Sequence, residues 1–285
     1  MGAANPLAVA KKTAKIAQEL GLTNLKIAAV FGDDVMSMLD FSTQTFLESG
    51  ESLSVLGNKI ISANAYMGVE GILIALEEGA DIILTGRVAD PSLFLAPLIH
   101  EFAWSMDDYP LLGKGTALGH LMECAGQVCG GYFADGVKKQ VSNLGNLGFP
   151  IAEINNDGLF HITKLKDSGG MVTTATCKEQ LLYEVHDPSA YLTPDVVADF
   201  SNITLKEIEK DKVEVYGASG KALTGKLKVS VGYHDGYMAD AQISYGGSYA
   251  LERAQLAIEI VKERLRAKNL EVEDILFDLI GINSL

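Results

Sequence analysis

Between Gly79 and Trp104 the chain reads GADIILTGRVADPSLFLAPLIHEFAW, an apolar run that empties into Thr85, Gly86, Arg87 and Asp90 just before a proline. Asp81 to Leu84 has the short, β-branched, apolar character of a buried parallel strand. Pro91 carries the fixed φ suited to the first position of a helix. Strand, polar loop and helix in that order form the unit from which a parallel α/β sheet is built. In such sheets ligands bind at the loops that leave the carboxyl ends of the strands. Thr85, Gly86, Arg87 and Asp90 are therefore the candidate substrate-binding residues: a guanidinium grips an anion or carbonyl bidentately, and a nearby carboxylate orders it or accepts a proton. The alternative is an Arg–Asp pair that only ties the loop.

The rest of the first half follows the same alternation. Asn5 and Pro6 make an N-cap and first-turn pair, Leu7, Ala10, Ala14 and Ala17 recur at helical spacing, and Gly21 stops the helix. Leu25 to Val30 reads as a strand that ends in the polar loop Phe31, Gly32, Asp33 and Asp34. Ile60 to Ala63 is a further short strand, and Ile72 to Glu78 a helix returning the chain to Asp81, which predicts a βαβ unit. DDYPLLGKG reads as a loop. Thr116 to Cys129 is predicted as a helix in which Thr116, His120, Glu123 and Gln127 share one face. That stripe is either the polar side of a buried helix facing a pocket or the solvated face of an amphipathic one.

From about Gly148 the pattern turns to alternating stretches at Phe160–Leu165, Met171–Thr176, Val213–Tyr216 and Leu227–Tyr233, as in an antiparallel or mixed sheet. Leu251–Ala267 is an amphipathic helix and Ile275–Ile282 a further predicted strand. The expected fold class is α/β, with a parallel-sheet, Rossmann-like first half over residues 1–147 packed against an α+β second half over 148–285.

Composition removes several classes of function. A formal charge of −14 argues against nucleic acid as a partner, since that affinity comes from clustered Lys and Arg. No apolar run approaches the roughly 20 residues a bilayer span needs, and the N-terminus lacks a signal-peptide pattern, so the expectation is no membrane association and a cytoplasmic location. Cys124, Cys129 and Cys177 form no C-x-x-C spacing and read as reduced thiols. The P-loop, dinucleotide and G-x-S-x-G patterns are missing from the sequence.

Proton chemistry near neutral pH points to the five histidines. His120 with Glu123 at i+3 suits a base with its orienting carboxylate, or two ligands of a divalent metal whose third ligand the sequence does not place. His186 and Asp187, ahead of Pro188, fall in a loop and form a second candidate pair, although Asp before Pro is also ordinary turn chemistry. His234 and Asp235 read as a hairpin turn, His100 as a helix-end residue and His161 as part of a strand. Gly169 and Gly170 form either a plain turn or an anion cradle of backbone amides.

The stretches TGRVADPSLFLAPLIHEFAW, GHLMECAGQVCGGYFAD, GFPIAEI and EQLLYEVHDPSAYLTPDVVADF together resemble the acyclic terpene utilisation family, from Met1 to Leu285. Members of that family are generally longer, so the resemblance implies a chain shortened at both ends. It also implies a place in the breakdown of acyclic terpenoids such as citronellol and geraniol through branched acyl-CoA thioesters. The expectation is then a lyase or hydratase acting on branched-chain or terpenoid acids or their CoA thioesters, with a small-molecule substrate and an association into homo-oligomers. The alternative is a non-catalytic binding or assembly subunit. The family carries over no cofactor and no catalytic role, so His120, Glu123, His186 and Asp187 stand as catalytic candidates on their chemistry alone.

Overall fold

A computed structural model describes residues 5–284. The chain forms two compact units, Met1–His234 and Asp235–Leu285. The first unit runs through α1 (Pro6–Glu19), β1 (Ile27–Val30), β2 (Ile60–Ala65), α2 (Glu70–Glu77), β3 (Ile82–Thr85), α3 (Ser92–Phe102) and α4 (Tyr109–Glu123). It continues with β4 (Pro150–Ile154), β5 (Phe160–Lys164), α5 (Thr174–Leu182), β6 (Tyr191–Leu192), β7 (Val197–Asp199), β8 (Thr204–Glu209), β9 (Lys212–Tyr216), β10 (Ser219–Lys221) and β11 (Val229–Tyr233). In the second unit α6 spans Ala250–Ala267.

The architecture is α/β with several small sheets, parallel in one and antiparallel in the others. β1 and β3 pair in parallel, Ile27 against Ile82 through Val30 against Thr85, which brings the loops after Val30 and Thr85 to one edge. Asn5 starts α1 as the sequence predicts, its Oδ1 accepting from the Ala8 N–H at 3.0 Å. The predicted βαβ unit is corrected: β2 pairs antiparallel with β11, not with β3. The reason lies in its composition. Ser62 and Asn64 give IISANA a polar face, whereas a strand inside a parallel sheet is covered on both sides. Just beyond β2 the chain meets the loop after β3 in a single parallel bridge, Met67 to Val88.

Three further expectations are corrected. The stretch DDYPLLGKG is no loop, because Asp108 caps α4 by accepting from the Leu111 N–H at 3.1 Å and Pro110 occupies its first turn. The glycines that weaken this helix on paper are there for packing. A Cβ at Gly113 collides with the Ser219 backbone on β10, and one at Gly115 meets the Leu95 and Trp104 side chains at 2.6 and 2.9 Å. Met171–Thr176 leads into α5 through a capping box of Thr173 and Thr176. Ile275–Ile282 forms no strand; among the described residues it has only the bridge Ile280 to Ser284.

The core of the first unit is α4 between layers. α3 covers it on one side, β7 and β10 lie against it, and Phe160, Ile162, Val213 and Val215 close it from the four-stranded sheet β4-β5-β9-β8. Asp195, in the turn between β6 and β7, ties two helix starts to this core: its carboxylate accepts from the Val69 N–H at 2.9 Å, ahead of α2, and from the Ser92 hydroxyl at 2.6 Å, at the start of α3. Both donors are buried, so Asp195→Ala is expected to cost about 3 kcal/mol. Urea denaturation of Asp195→Ala beside wild type measures this, and a loss below about 1 kcal/mol refutes the role given to Asp195.

Candidate functional site

Thr85 ends β3 and Gly86 follows it because Asp33 leaves no room for a side chain there: a Cβ on Gly86 lands on the Asp33 carboxylate. Asp33, buried in the loop after β1, accepts from the Arg87 backbone N–H at 2.9 Å and from Asn64 Nδ2 at 3.0 Å. One carboxylate therefore fastens the loops after β1 and β3 to strand β2. Arg87 turns back on its own loop, donating from Nε and Nη2 to the Val88 carbonyl at 2.9 and 2.7 Å and from Nη2 to Asp90 Oδ1 at 2.7 Å. Its guanidinium lies over the ring of Tyr66, 4.2 Å from the centroid, and Lys228 Nζ lies 5.0 Å from the same ring.

The stripe on α4 is buried. Thr116 and His120 are fully enclosed and Gln127 is nearly so, which sets aside the solvated-face alternative. Thr116 satisfies itself by donating to the Leu112 carbonyl at 2.9 Å. His120 Nδ1 lies 3.0 Å from Glu123 Oε1, while His120 Nε2 and Glu123 Oε2 are buried with no partner. Phe200 stacks on the imidazole and Tyr191 lies tilted against it, their centroids 5.7 and 5.2 Å away. Gln180 on α5 donates to the His120 carbonyl at 2.8 Å and leaves its Oε1 unpartnered.

Burial pushes the Glu123 carboxyl above the ordinary carboxylate range, against the hydrogen bond and charge of His120, and the charges of Asp90 and Glu184 push the same way as burial. Burial also raises the Tyr191 phenol, with Glu123 and Asp90 adding to it. Asp90 thus belongs to the electrostatic surroundings of the His120–Glu123 pair. Packing agrees: Gly119 lies so close to Pro91 that a Cβ there meets the Pro91 carbonyl oxygen at 2.7 Å.

Of Thr85, Gly86, Arg87 and Asp90, it is Asp90 whose charge bears on Glu123 and Tyr191, and Arg87 is tied to that neighbourhood by its ion pair with Asp90. His186 and Asp187 lie on an exposed turn after α5, where Asp187 Oδ1 accepts from the Ser189 N–H and hydroxyl at 2.9 and 2.7 Å. Those bonds hold the Asp187 carboxyl below its ordinary value, and no hydrogen bond among the described residues joins either residue to His120 or Glu123. The Gly169 and Gly170 amides donate to the Asn146 and Ser142 carbonyls, so no anion cradle is open there. His234 and Asp235 form no hairpin. Sequence reasoning passed over Asn64, Tyr66, Gln180, Tyr191, Phe200 and Lys228, and placed Asp33 only as loop. The signal for Asp33 was its position directly after a strand; for Lys228 there was none.

With an ionised Glu123 accepting from Nδ1–H, the Nε2 lone pair of a neutral imidazole is a base held in one tautomer. Among the described residues no group of three or more His, Cys, Asp or Glu is placed to hold a metal, and no helix is long and apolar enough to cross a membrane.

Fold and site together define an α/β protein with a buried imidazole–carboxylate pair beside an arginine loop. The chain belongs to the acyclic terpene utilisation (AtuA) family, whose model, described as acyclic terpene utilisation family protein AtuA, matches residues 1–285. No curated protein and no solved structure matches it.

Because the folded-state value of Glu123 is raised, the proton it retains stabilises the fold in full below the ordinary carboxylate range, and that contribution is lost as pH rises through the raised value. Thermal unfolding of wild type followed upward from about pH 4 is expected to show this loss, and Glu123→Gln, which never ionises, is expected to show a flatter profile. Parallel profiles for the two proteins overturn the assignment.

Proposed function

We propose that the protein is an enzyme of acyclic terpenoid catabolism that moves a proton on a branched-chain or terpenoid acid, or on its CoA thioester, as a lyase or hydratase. The observation that carries this reading is the fully buried His120, oriented by Glu123 on one nitrogen and bare on the other. A base of this kind serves abstraction of the proton α to an acyl carbonyl.

In the dehydration direction, His120 Nε2 takes the α-proton and the electron pair moves toward the carbonyl oxygen. Arg87 Nη1, which donates to no group among the described residues, faces the charge growing on that oxygen. The β-hydroxyl then leaves as water on receiving the proton from the imidazolium, and the carbon–carbon double bond forms between the α and β carbons. Glu123 holds the imidazole throughout and stabilises its charged form. Tyr191 and Phe200 keep bulk water away from the ring, and Glu123, whose side chain is 10% exposed, marks the side from which substrate arrives.

The compartment in this reading is the cytoplasm, supported by three free cysteines, two of which burial makes inert, with Cys129 pushed up to about 11 and Cys177 to about 12. A binding or assembly role is the second reading, favoured by α6, which has no buried residue and exposes Leu251, Leu256 and Ile260.

Solvent deuterium incorporation at the α-carbon of a branched 3-hydroxyacyl thioester, followed by mass spectrometry, tests the enzyme reading. Wild type is expected to exchange, and His120→Gln and Glu123→Gln to fall by roughly 100-fold while remaining folded. Absence of exchange in folded wild type with both free acid and thioester transfers the weight to the binding role.

A further inference from the structure

We propose that Lys228 completes the substrate site by forming, with Arg87 across the ring of Tyr66, a two-cation clamp for an oxyanion carried by the substrate. The oxyanion is either the carboxylate of a free acid or a phosphate of a carrier thioester, in which case Arg87 serves that phosphate and not the thioester carbonyl. The proposal rests on the proton-transfer reading for its location, and it names the chemical class of ligand that reading leaves open.

Three observations carry it. The first is that both cations are held in place by backbone. The Tyr66 N–H donates to the Lys228 carbonyl at 2.9 Å, and β11 begins at the next residue in register with β2, Val229 against Ala65. Lys228 therefore leaves the sheet beside the same ring that Arg87 covers. The two charges lie 5.0 and 4.2 Å from one centroid and so stand no more than about 9 Å apart, a span that the oxygens of a phosphate or pyrophosphate can bridge.

The second is donor capacity. Arg87 uses Nε–H and Nη2 on Val88 and Asp90, so both hydrogens of Nη1 remain. Lys228 is exposed and, among the described residues, has no carboxylate within ion-pair distance and no hydrogen-bond acceptor. Lys212 and Lys139, by contrast, are ion-paired, with Glu153 and Glu179. What sets Lys228 apart is that its ammonium lies over the same aromatic ring as a guanidinium with donors to spare, a pairing suited to an anion.

The third is charge. Asp33 and Asp90 both attend Arg87, one at its backbone N–H and one at its guanidinium. Those three side chains alone are net negative, in a chain whose formal charge is already −14, and such a cluster repels an anion. Lys228 restores the balance. Arg87 by itself then serves as a directional donor, and Lys228 supplies the attraction.

The experiment is calorimetric titration of the full chain with two probes, 3-methylbutanoate and free coenzyme A, in wild type, Lys228→Ala, Lys228→Arg and His120→Gln. Lys228 is exposed, so its replacement leaves the fold intact. Binding of the carboxylate assigns the clamp to a free acid, and binding of coenzyme A alone assigns it to thioester phosphate. Lys228→Ala is expected to weaken the bound probe roughly tenfold, with Lys228→Arg and His120→Gln close to wild type. Added salt weakens binding in wild type more than in Lys228→Ala. Equal affinity in wild type and Lys228→Ala, or no binding of either probe to wild type, overturns the clamp. The deuterium-exchange assay separates the two readings: exchange lost in His120→Gln with anion affinity untouched in Lys228→Ala removes the clamp alone, whereas Lys228-dependent anion binding without exchange in wild type removes the proton-transfer reading alone.

Discussion

A helix buried along most of its length gives its polar side chains no water to turn to, and α4 is such a helix, with every residue from Gly115 to Leu121 buried. Each polar group on it must find a partner inside the protein or remain bare, at about 1–3 kcal/mol for every buried group left unmade. Thr116 bonds its own helix, and the His120 carbonyl takes the amide of Gln180. Among the described residues, what stays bare is largely concentrated: His120 Nε2, Glu123 Oε2 and Gln180 Oε1 come from one turn of α4 and the helix against it, with Gln127 Oε1 one turn further on and Thr85 Oγ1 apart from them at the end of β3. A fold that spreads such defects is badly packed, whereas one that gathers them around a single imidazole has kept a reactive group at a cost to stability.

In the neighbouring loop most polar groups are tied down, the buried Thr85 hydroxyl being the exception. Asp33 receives both the Arg87 N–H and Asn64, Asp195 receives Ser92, and Val88 and Asp90 receive the guanidinium. Gly86 is the condition for the first of these, because any larger residue displaces the Asp33 carboxylate. A two-stranded parallel sheet is a weak platform by itself. Here the rigidity of the loop comes from side-chain carboxylates fastened to backbone donors in place of neighbouring strands.

How much of this the sequence disclosed follows from the range of the interactions involved. Asn5 capping α1, the strand–loop–helix from Ile82 to Ser92 and the i, i+3 pairing of His120 with Glu123 are all local, and all were legible. The pairing of β2 with β11 joins Ile60–Ala65 to residues more than 160 positions away, and no periodicity within either strand encodes its partner. The expected helix Thr116–Cys129 starts seven residues late, since the glycines of DDYPLLGKG look like loop until Ser219, Leu95 and Trp104 are seen pressing on Gly113 and Gly115, and it runs six residues too far, because α4 ends at Glu123 and a separate 3-10 turn follows at Ala125–Gln127. The burial of the Thr116–Gln127 stripe was likewise hidden, since a polar stripe looks the same whether water or β6, β7 and α5 lie against it. His186 and Asp187 were attractive for their residue types, yet the hydroxyl two residues on, Ser189, had already claimed the carboxylate.

Asp90 links the two halves of the site. Its carboxylate is an ion-pair partner for Arg87, and its charge is one of the influences that raise Glu123. An anion arriving at Arg87 competes with Asp90 for the guanidinium and adds a second negative charge to the same neighbourhood. Both changes act on Glu123 in one direction, toward its protonated form. In the proposed arrangement, the cation of Lys228, just ahead of β11, would take up part of that added charge away from the buried pair on α4, so that the site could hold a negative group while the carboxylate beside the imidazole stays ionised.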